Sequence, residues 1–271
     1  MAILKQIGSD VEFFVSKGGE VGSAIGLIGG SKSTPVLVEH GNLQEDNVLA
    51  EMAIDPCDDV DAWQTKLSVV KNKLSSVLAS QGYVTVTKSS HHYTKEQLLG
   101  WGGMAMEMGC MPDFNVYTQE ENPKPSARTV LRTAAGHVHF SYVNPSLEET
   151  TNIVKCLDAT LGLWSVITDR DLFRRNLYGK AGCCRIKEYG GEYRTLGNFW
   201  TSNFARQRYV FDVTKLCVEQ HGVLLPKLRL LAKEATVIDI INNSDVERAQ
   251  VLMPSIETII HNALSKGDGY A

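Results

Sequence analysis

No stretch of this 271-residue chain is apolar for long enough to cross a bilayer; the longest apolar windows, such as residues 161–168, fall far short of the roughly 20 residues a helical span requires. The six cysteines (Cys57, Cys110, Cys156, Cys183, Cys184, Cys217) include no CxxC pair. Adjacent Cys183 and Cys184 cannot easily share a zinc ion, so the cysteines read as small buried hydrophobes in a reducing cytosol. Charge of one sign is lacking too: a net −4 and a pI near 6.0 give no overall pull toward nucleic acid or anionic membrane, and any such groove would have to be local. Lys5, Asp10 and Glu12 fall within a strand-like opening where a secretory leader would be apolar, so a cytoplasmic protein rather than a secreted precursor is expected. Internal repeats and low-complexity tails are also missing. What remains, 43% hydrophobic and 21% charged, is an ordinary globular composition with enough chain for a sizeable core. Residues 120–126, with Pro123 and Pro125, are the most linker-like but too short to divide it. One domain over residues 1–271 is expected, with 205–271 mainly helical.

The hydrophobic pattern alternates between two periods. Val11, Phe13 and Val15 share one face of a first strand while Asp10 and Glu12 take the other; residues 18–30 are a glycine-rich loop or hairpin. Residues 36–38 and 48–54 read as strands, the second ended by Pro56. Asp58 and Asp59 can cap a helix whose apolar stripe is Trp63, Leu67, Val70, Leu74 and Val77 or Leu78, stopped at Gly82. Residues 83–87 follow as a strand, 94–99 as a short helix, and 100–113 as glycine- and methionine-rich irregular chain. Residues 130–143 read as one long strand with His137, His139 and Ser141 on one face. Ser146 and Glu149 form a capping box for the helix carrying Ile153, Leu157, Leu161 and Trp164. Arg185 and Lys187 alternate with Ile186 on a further strand, and the chain resumes after Gly190 and Gly191 with Glu192 and Arg194. The sum is α+β: strands with polar faces interleaved with helices that cover the back of a sheet.

Those polar faces carry the chemistry. An isolated Asp10-Val11-Glu12 is no more than a solvated strand edge, but the flanking Val11, Phe13, Phe14 and Val15 make the strand central. Paired carboxylates on a central strand need cations to be tolerated. Glu51 has a similar context, and three carboxylates suit Mg²⁺ with waters and phosphates. His137 and His139 read either as satisfied core histidines, as zinc ligands without a second cluster, or as members of a mixed oxygen and nitrogen site beside phosphate. Glu192 and Arg194 are either a simple charged pair or, with Arg185 and Lys187, part of a cationic wall for phosphate oxygens. Two motifs are decoys. Gly26-Leu27-Ile28-Gly29-Gly30-Ser31-Lys32-Ser33 has Ser31 where a P-loop has glycine, although Lys32 can still reach a phosphate. The H-x-H of barrel hydrolases belongs to an opening βα unit, whereas His137-Val138-His139 lies mid-chain.

Taken in order, Gly8-Ser9-Asp10-Val11-Glu12-Phe13, Met108-Gly109-Cys110-Met111-Pro112-Asp113-Phe114, residues 136–142 and residues 189–200 resemble the phage-encoded carboxylate–amine ligase (amidoligase) family, within the glutamine synthetase and glutamate–cysteine ligase superfamily. The resemblance spans about residues 7–204. It implies a glutamine synthetase-like antiparallel sheet with one polar catalytic face and helices on the other. It also implies ATP, two or more Mg²⁺ ions with Mn²⁺ as a substitute, a carboxylate substrate and an amine substrate, in the host cytoplasm if the chain is phage-encoded. By resemblance Glu12 and Glu51 hold one ion, with Glu45 or Asp46 as a further ligand, and Asp10, His137 and Glu192 hold a second. His139 and Ser141 take nucleotide-side positions, Arg185 and Lys187 are phosphate contacts, and Arg194 steadies the transferred phosphoryl group. Catalysis then rests on Arg194, Glu192 and Glu12. Asp10 departs from the glutamate usual in the larger ligases, which leaves its direct role open. The rival readings are a metal-dependent phosphotransferase or hydrolase on the same face and a non-catalytic nucleotide-binding accessory protein.

Overall fold

The computed structural model describes residues 2–107, 113–123, 125–126 and 129–267. Cys110 and the Met108-to-Pro112 part of the second resembling segment lie outside them. The organising element is β1 (Leu4–Lys17), a 14-residue strand whose apolar residues Val11, Phe13 and Val15 are wholly buried. A short hairpin leads from it into β2 (Glu20–Gly22), and β3 (Val36–Val38), β4 (Gly41–Asp46) and β5 (Leu49–Cys57) follow. Proline does not stop β5 at residue 56, as the pattern suggested. From Ser9 opposite Ile54 to Ile7 opposite Cys57, β5 uses one residue more than β1, and Pro56, which has no N–H to give, sits in that bulge.

Helix α1 (Val60–Ala79) starts at Asp59, whose carboxylate accepts from the N–H groups of Asp61 and Ala62 at 2.9 Å each, and Gly82 just beyond its end takes φ +79°. Its buried stripe is the expected Trp63, Leu67, Val70 and Leu74, with Leu78 rather than Val77 at the last position. Next come β6 (Val84–Val86), β7 (Ser90–His92), α2 (Lys95–Gly100), α3 (Gly103–Met106), β8 (Phe114–Asn115) and β9 (Glu120–Glu121). The long strand expected over 130–143 is two strands, β10 (Leu131–Thr133) and β11 (Gly136–Tyr142). Between them the chain changes sheets: β10 pairs with β7, whereas β11 pairs with β1.

After β11, α4 (Leu147–Leu157) continues through one π-helical turn, Asp158–Gly162, into α5 (Leu163–Asp169). Only half of the expected capping box forms, Ser146 accepting from the Glu149 N–H. Strands β12 (Cys183–Lys187) and β13 (Gly190–Tyr193) form a hairpin, and α6 (Phe204–Leu231), α7 (Glu234–Asn242) and α8 (Val246–Gly267) complete the helical C-terminal part.

The antiparallel main sheet runs β3-β4-β5-β1-β11-β13-β12-β8-β9, with β2 and β6 on the far end of β1. One face is apolar and covered by α1, α4 and α6: Val11, Phe13, Met52, Val138, Phe140 and Tyr193 meet Trp63, Leu67, Ile153, Leu157 and Val210 in one buried cluster. Trp63 stacks on Trp200 with ring centroids 5.7 Å apart. A second, smaller cluster, Phe14, Leu49, Tyr93, Leu98 and Ala134, closes one end of the opposite face. Cys57, Cys156, Cys183, Cys184 and Cys217 are buried free thiols, as their hydrophobic reading expects. Among the described residues no helix is long and apolar enough to cross a membrane.

Candidate active site

The antiparallel register lines up the polar residues into rows across the open face. Gln44 faces Glu51 and Glu51 faces Glu12 on β4, β5 and β1; Asp10 faces His137 across β1 and β11; His139 faces Glu192 and Glu192 faces Arg185 across β11, β13 and β12. Side chains that the sequence separates by as many as 127 residues therefore become lateral neighbours. A cavity of about 590 Å³ opens over these rows, lined by Asp10, Glu12, Asp46, Glu51, His137, His139, Ser141, Arg185, Lys187, Glu192 and Arg194, and by Lys32 from the glycine-rich loop. All ten residues expected at the site, Asp10, Glu12, Glu51, His137, His139, Ser141, Arg185, Lys187, Glu192 and Arg194, thus border one space.

Two electrostatic halves are distinct. On the β4–β5 side Glu12, Asp46 and Glu51 crowd together. Burial, then repulsion from Asp46, pushes the Glu12 carboxyl up to about 8. Burial and the charges of Asp10, Asp46 and Glu12 push Glu51 well above the usual carboxylate range, and burial raises Asp46. Glu12 accepts from the Ala135 N–H at 2.7 Å and Glu51 from Gln44 Nε2 at 2.5 Å. On the β11–β13 side carboxylates are matched with cations. Asp10 Oδ1 lies 3.0 Å from His137 Nδ1 and 3.3 Å from His139 Nε2; although burial opposes ionisation, the two imidazoles hold its carboxyl well below the ordinary range. Burial, reinforced by Arg194, lowers His137, while the Asp10 carboxylate outweighs burial and raises His139. Glu192 receives Arg194, Arg185 at 3.3 Å and Lys187 at 3.4 Å; against the cost of burial, Arg194 and His137 bring it to about 2.

Arg194 is 3% exposed, gripped between Glu192 and Asp113, its Nε donating to Asp113 Oδ1 at 2.5 Å. Asp113 belongs to one of the resembling segments, but nothing in the spacing marks it as the partner of Arg194. Gln44 and Tyr189, which lies 2.8 Å from His139 Nδ1, were also invisible as members of the site. Strand alternation could have found Gln44, since it shares a face with Asp46. The same alternation corrects Glu45: its carboxylate turns away from the cavity and accepts from the N–H groups of Gly26, Ile28 and Gly29 at 2.9 Å each, so of the two optional ligands only Asp46 reaches the site. Ser141 lines the cavity with its hydroxyl tied to the Gln6 backbone, accepting from the N–H at 3.0 Å and donating to the carbonyl at 3.1 Å.

The donor set suits a hard divalent ion. Asp10, His139 and Glu192 present ligand atoms within 4.8 Å of one another, and the three carboxylates of the other half are like charges with too few cations between them. The geometry thus places His139 beside Asp10 and Glu192 in a possible cation group, where the resemblance implied His137.

An antiparallel sheet with a charged, cavity-lined face and a helix-covered back is the arrangement that the resemblance to carboxylate–amine ligases implied. Over residues 131–265 the chain belongs to the family described as phage phiEco32-like COOH.NH2 ligase-type 2. That half contains His137, His139, Glu192 and Arg194; the fold brings Asp10, Glu12 and Glu51 against it from the other half. Among solved structures, apo GmaS without ligand is similar over 100% of this chain and 70% of that one, at 10% identity and a TM-score of 0.45. The GmaS/ADP complex in conformation 1 covers 98% and 68%, at 11% and 0.46. Glutamine synthetase of Plasmodium falciparum covers 79% and 51%, at 8% and 0.40. These are likenesses of general arrangement, and the family assignment rests on residues 131–265. No curated protein matches the chain.

Proposed function

We propose that the chain is an ATP-dependent ligase that joins a carboxylate to an amine through an acyl phosphate. The observation that carries the reading is the single cavity onto which five carboxylates, two imidazoles and four cations converge, Asp10, Glu12, Asp46, Glu51, Glu192, His137, His139, Lys32, Arg185, Lys187 and Arg194. A face of mixed charge at this density suits a polyanion together with its counter-ions.

A carboxylate is a poor electrophile, and transfer of the γ-phosphoryl group to one of its oxygens turns that oxygen into a leaving group. Arg194, Arg185 and Lys187 are directed at the face where phosphate oxygens gain charge during transfer, and their fixed positions lower the cost of that charge. Glu12, Glu51 and Asp46 would hold one Mg²⁺ or Mn²⁺, and Asp10, Glu192 and the flanking His137 and His139 a second; such ions, when bound, neutralise β- and γ-phosphate oxygens. His139 and Ser141 border the nucleotide side. A neutral amine then attacks the acyl carbon, the C–N bond forms, phosphate leaves, and the amine proton passes to a base.

A smaller cavity also borders Glu12, Asp46, His137 and Arg194. The test is ADP formation that needs Mg²⁺, an acid and an amine together, with the amide identified by mass spectrometry after incubation with host extract and ATP. Glu12→Ala and Arg194→Ala are expected to abolish turnover. Release of phosphate without an amide would instead assign a hydrolase or phosphotransferase, and calorimetry showing Mg-ATP binding without any turnover would assign a non-catalytic nucleotide-binding protein.

A further inference from the structure

The alternation of β13 carries on past its end at Tyr193, so Glu192 and Arg194 line the cavity while Tyr193 and Thr195, on either side of Arg194, turn to Asp158 behind the sheet. There the π-helical turn carries Asp158, fully buried and with no ion pair among the described residues. Its Oδ1 accepts from the Tyr193 hydroxyl at 2.7 Å and the Thr195 hydroxyl at 3.3 Å; its Oδ2 accepts from the N–H of Gly182, directly before β12, at 2.6 Å. A single carboxylate therefore ties both neighbours of Arg194 to the root of the adjacent strand. Gly162 closes the same turn, and a Cβ there would lie 3.0 Å from the Tyr193 hydroxyl and 3.3 Å from Asp158 Oδ1, so the turn keeps room for the contact. An anion buried without a cation is costly, and π turns interrupt helices where a side chain must be re-aimed.

We infer that Asp158 is a positioning residue: from behind the sheet it holds the β12–β13 hairpin so that Arg194, Glu192 and Arg185 keep their aim into the cavity. The catalytic consequence rests on the ligase reading; the geometric one does not. Arg194 is pinned from other sides as well, its N–H donating to the Cys183 carbonyl at 3.0 Å and its carbonyl accepting from Arg174 Nη2 at 3.2 Å. Loss of the Asp158 clasp should therefore misdirect the side chain without releasing the strand.

The experiment reads the arginine directly. The Nε–H resonance of Arg194, identified by its loss in Arg194→Lys, is followed by NMR hydrogen exchange in the full-length protein and in Asp158→Asn. In a folded Asp158→Asn we expect exchange at least tenfold faster and kcat lower by about 10²-fold, the scale of an ångström misplacement, with KM for ATP within about threefold. Unchanged exchange and unchanged kcat in a folded variant overturn the inference. If Asp158→Asn does not fold, Tyr193→Phe and Thr195→Val each remove one donor; faster exchange in either supports the clasp, and wild-type exchange in both refutes it. A wild-type protein that forms no amide defeats the ligase reading, and the exchange measurement still decides the role of Asp158.

Discussion

The crowding of Glu12 and Glu51 has a measurable sign. These residues face each other across β1 and β5, and a protein without bound cations must either hold protons there or bear the repulsion. Two unit charges about 5 Å apart repel by about 3 kcal/mol at an effective dielectric constant near 20. Because the folded protein raises these acids, their contribution to stability is present below their ordinary range and lost as pH rises. Replacing Glu51 with glutamine keeps the shape and the acceptor for Gln44 but removes the charge. In EDTA at pH 8.5, Glu51→Gln is therefore expected to be more stable than wild type by up to about 3 kcal/mol, a rise in Tm of several degrees for a chain of this size. Mg²⁺ should close most of that gap. An ion present at 100 times its Kd stabilises the wild type by about 2.7 kcal/mol, or roughly 5–10 °C, and the variant by much less. Differential scanning fluorimetry with EDTA or MgCl₂ reads both effects. A Glu51→Gln protein less stable than wild type in EDTA, together with a wild type indifferent to Mg²⁺ and Mn²⁺, would refute the reasoning.

Three further outcomes test other parts of the structure. Arg194→Lys keeps a charge but cannot bridge Glu192 and Asp113, so amide formation should fall by at least about 10²-fold with little change in Tm, measured as kcat beside a melting curve. Trp63→Ala removes a fully buried ring stacked on Trp200 and should cost about 3–5 kcal/mol in urea unfolding. Burial lifts Asp158 from 3.8 to about 6 in spite of its hydrogen bonds, so the stability tied to its protonated form, about 3 kcal/mol, is present below pH 4 and lost as pH rises through 6. Subtracting the pH–stability curve of Asp158→Asn from that of wild type should isolate this downward step, and parallel curves would contradict it.

Much of the sheet was legible because alternation on β1, β5 and β11 and the three-four stripe of α1 are local patterns, each repeated over several residues. The site was legible for a related reason: polar residues at spacing two on apolar strands conflict with burial, and only a shared charged face resolves the conflict. The chain switch at Ala134 and Ala135 was hidden because two small residues continue the apolar and polar rhythm whichever sheet they enter. Neither could the π turn be read, since Leu157, Leu161 and Trp164 keep helical spacing through it; the signal was Asp158 itself, a charge next to that stripe. Asp113 depends on a distant strand pairing that no local pattern encodes, whereas Leu43, buried on β4, already fixed Glu45 on the wrong face for a ligand.

Glu45 gives the glycine turn before Ser31 an unexpected character. The turn that imitates a phosphate cradle does grip an anion with three N–H groups, but the anion is the chain's own carboxylate. The cradle is thereby spent as an anchor, and the last N–H bonded to the Glu45 carboxylate, at Gly29, stands only three residues before Lys32. Three residues extend to about 10 Å at most, and the Gly30 carbonyl, accepting from the Glu45 N–H at 2.9 Å, and the turn closed between Ser31 and Thr34 shorten that leash, so Glu45 and this turn together limit how far Lys32 reaches over the cavity.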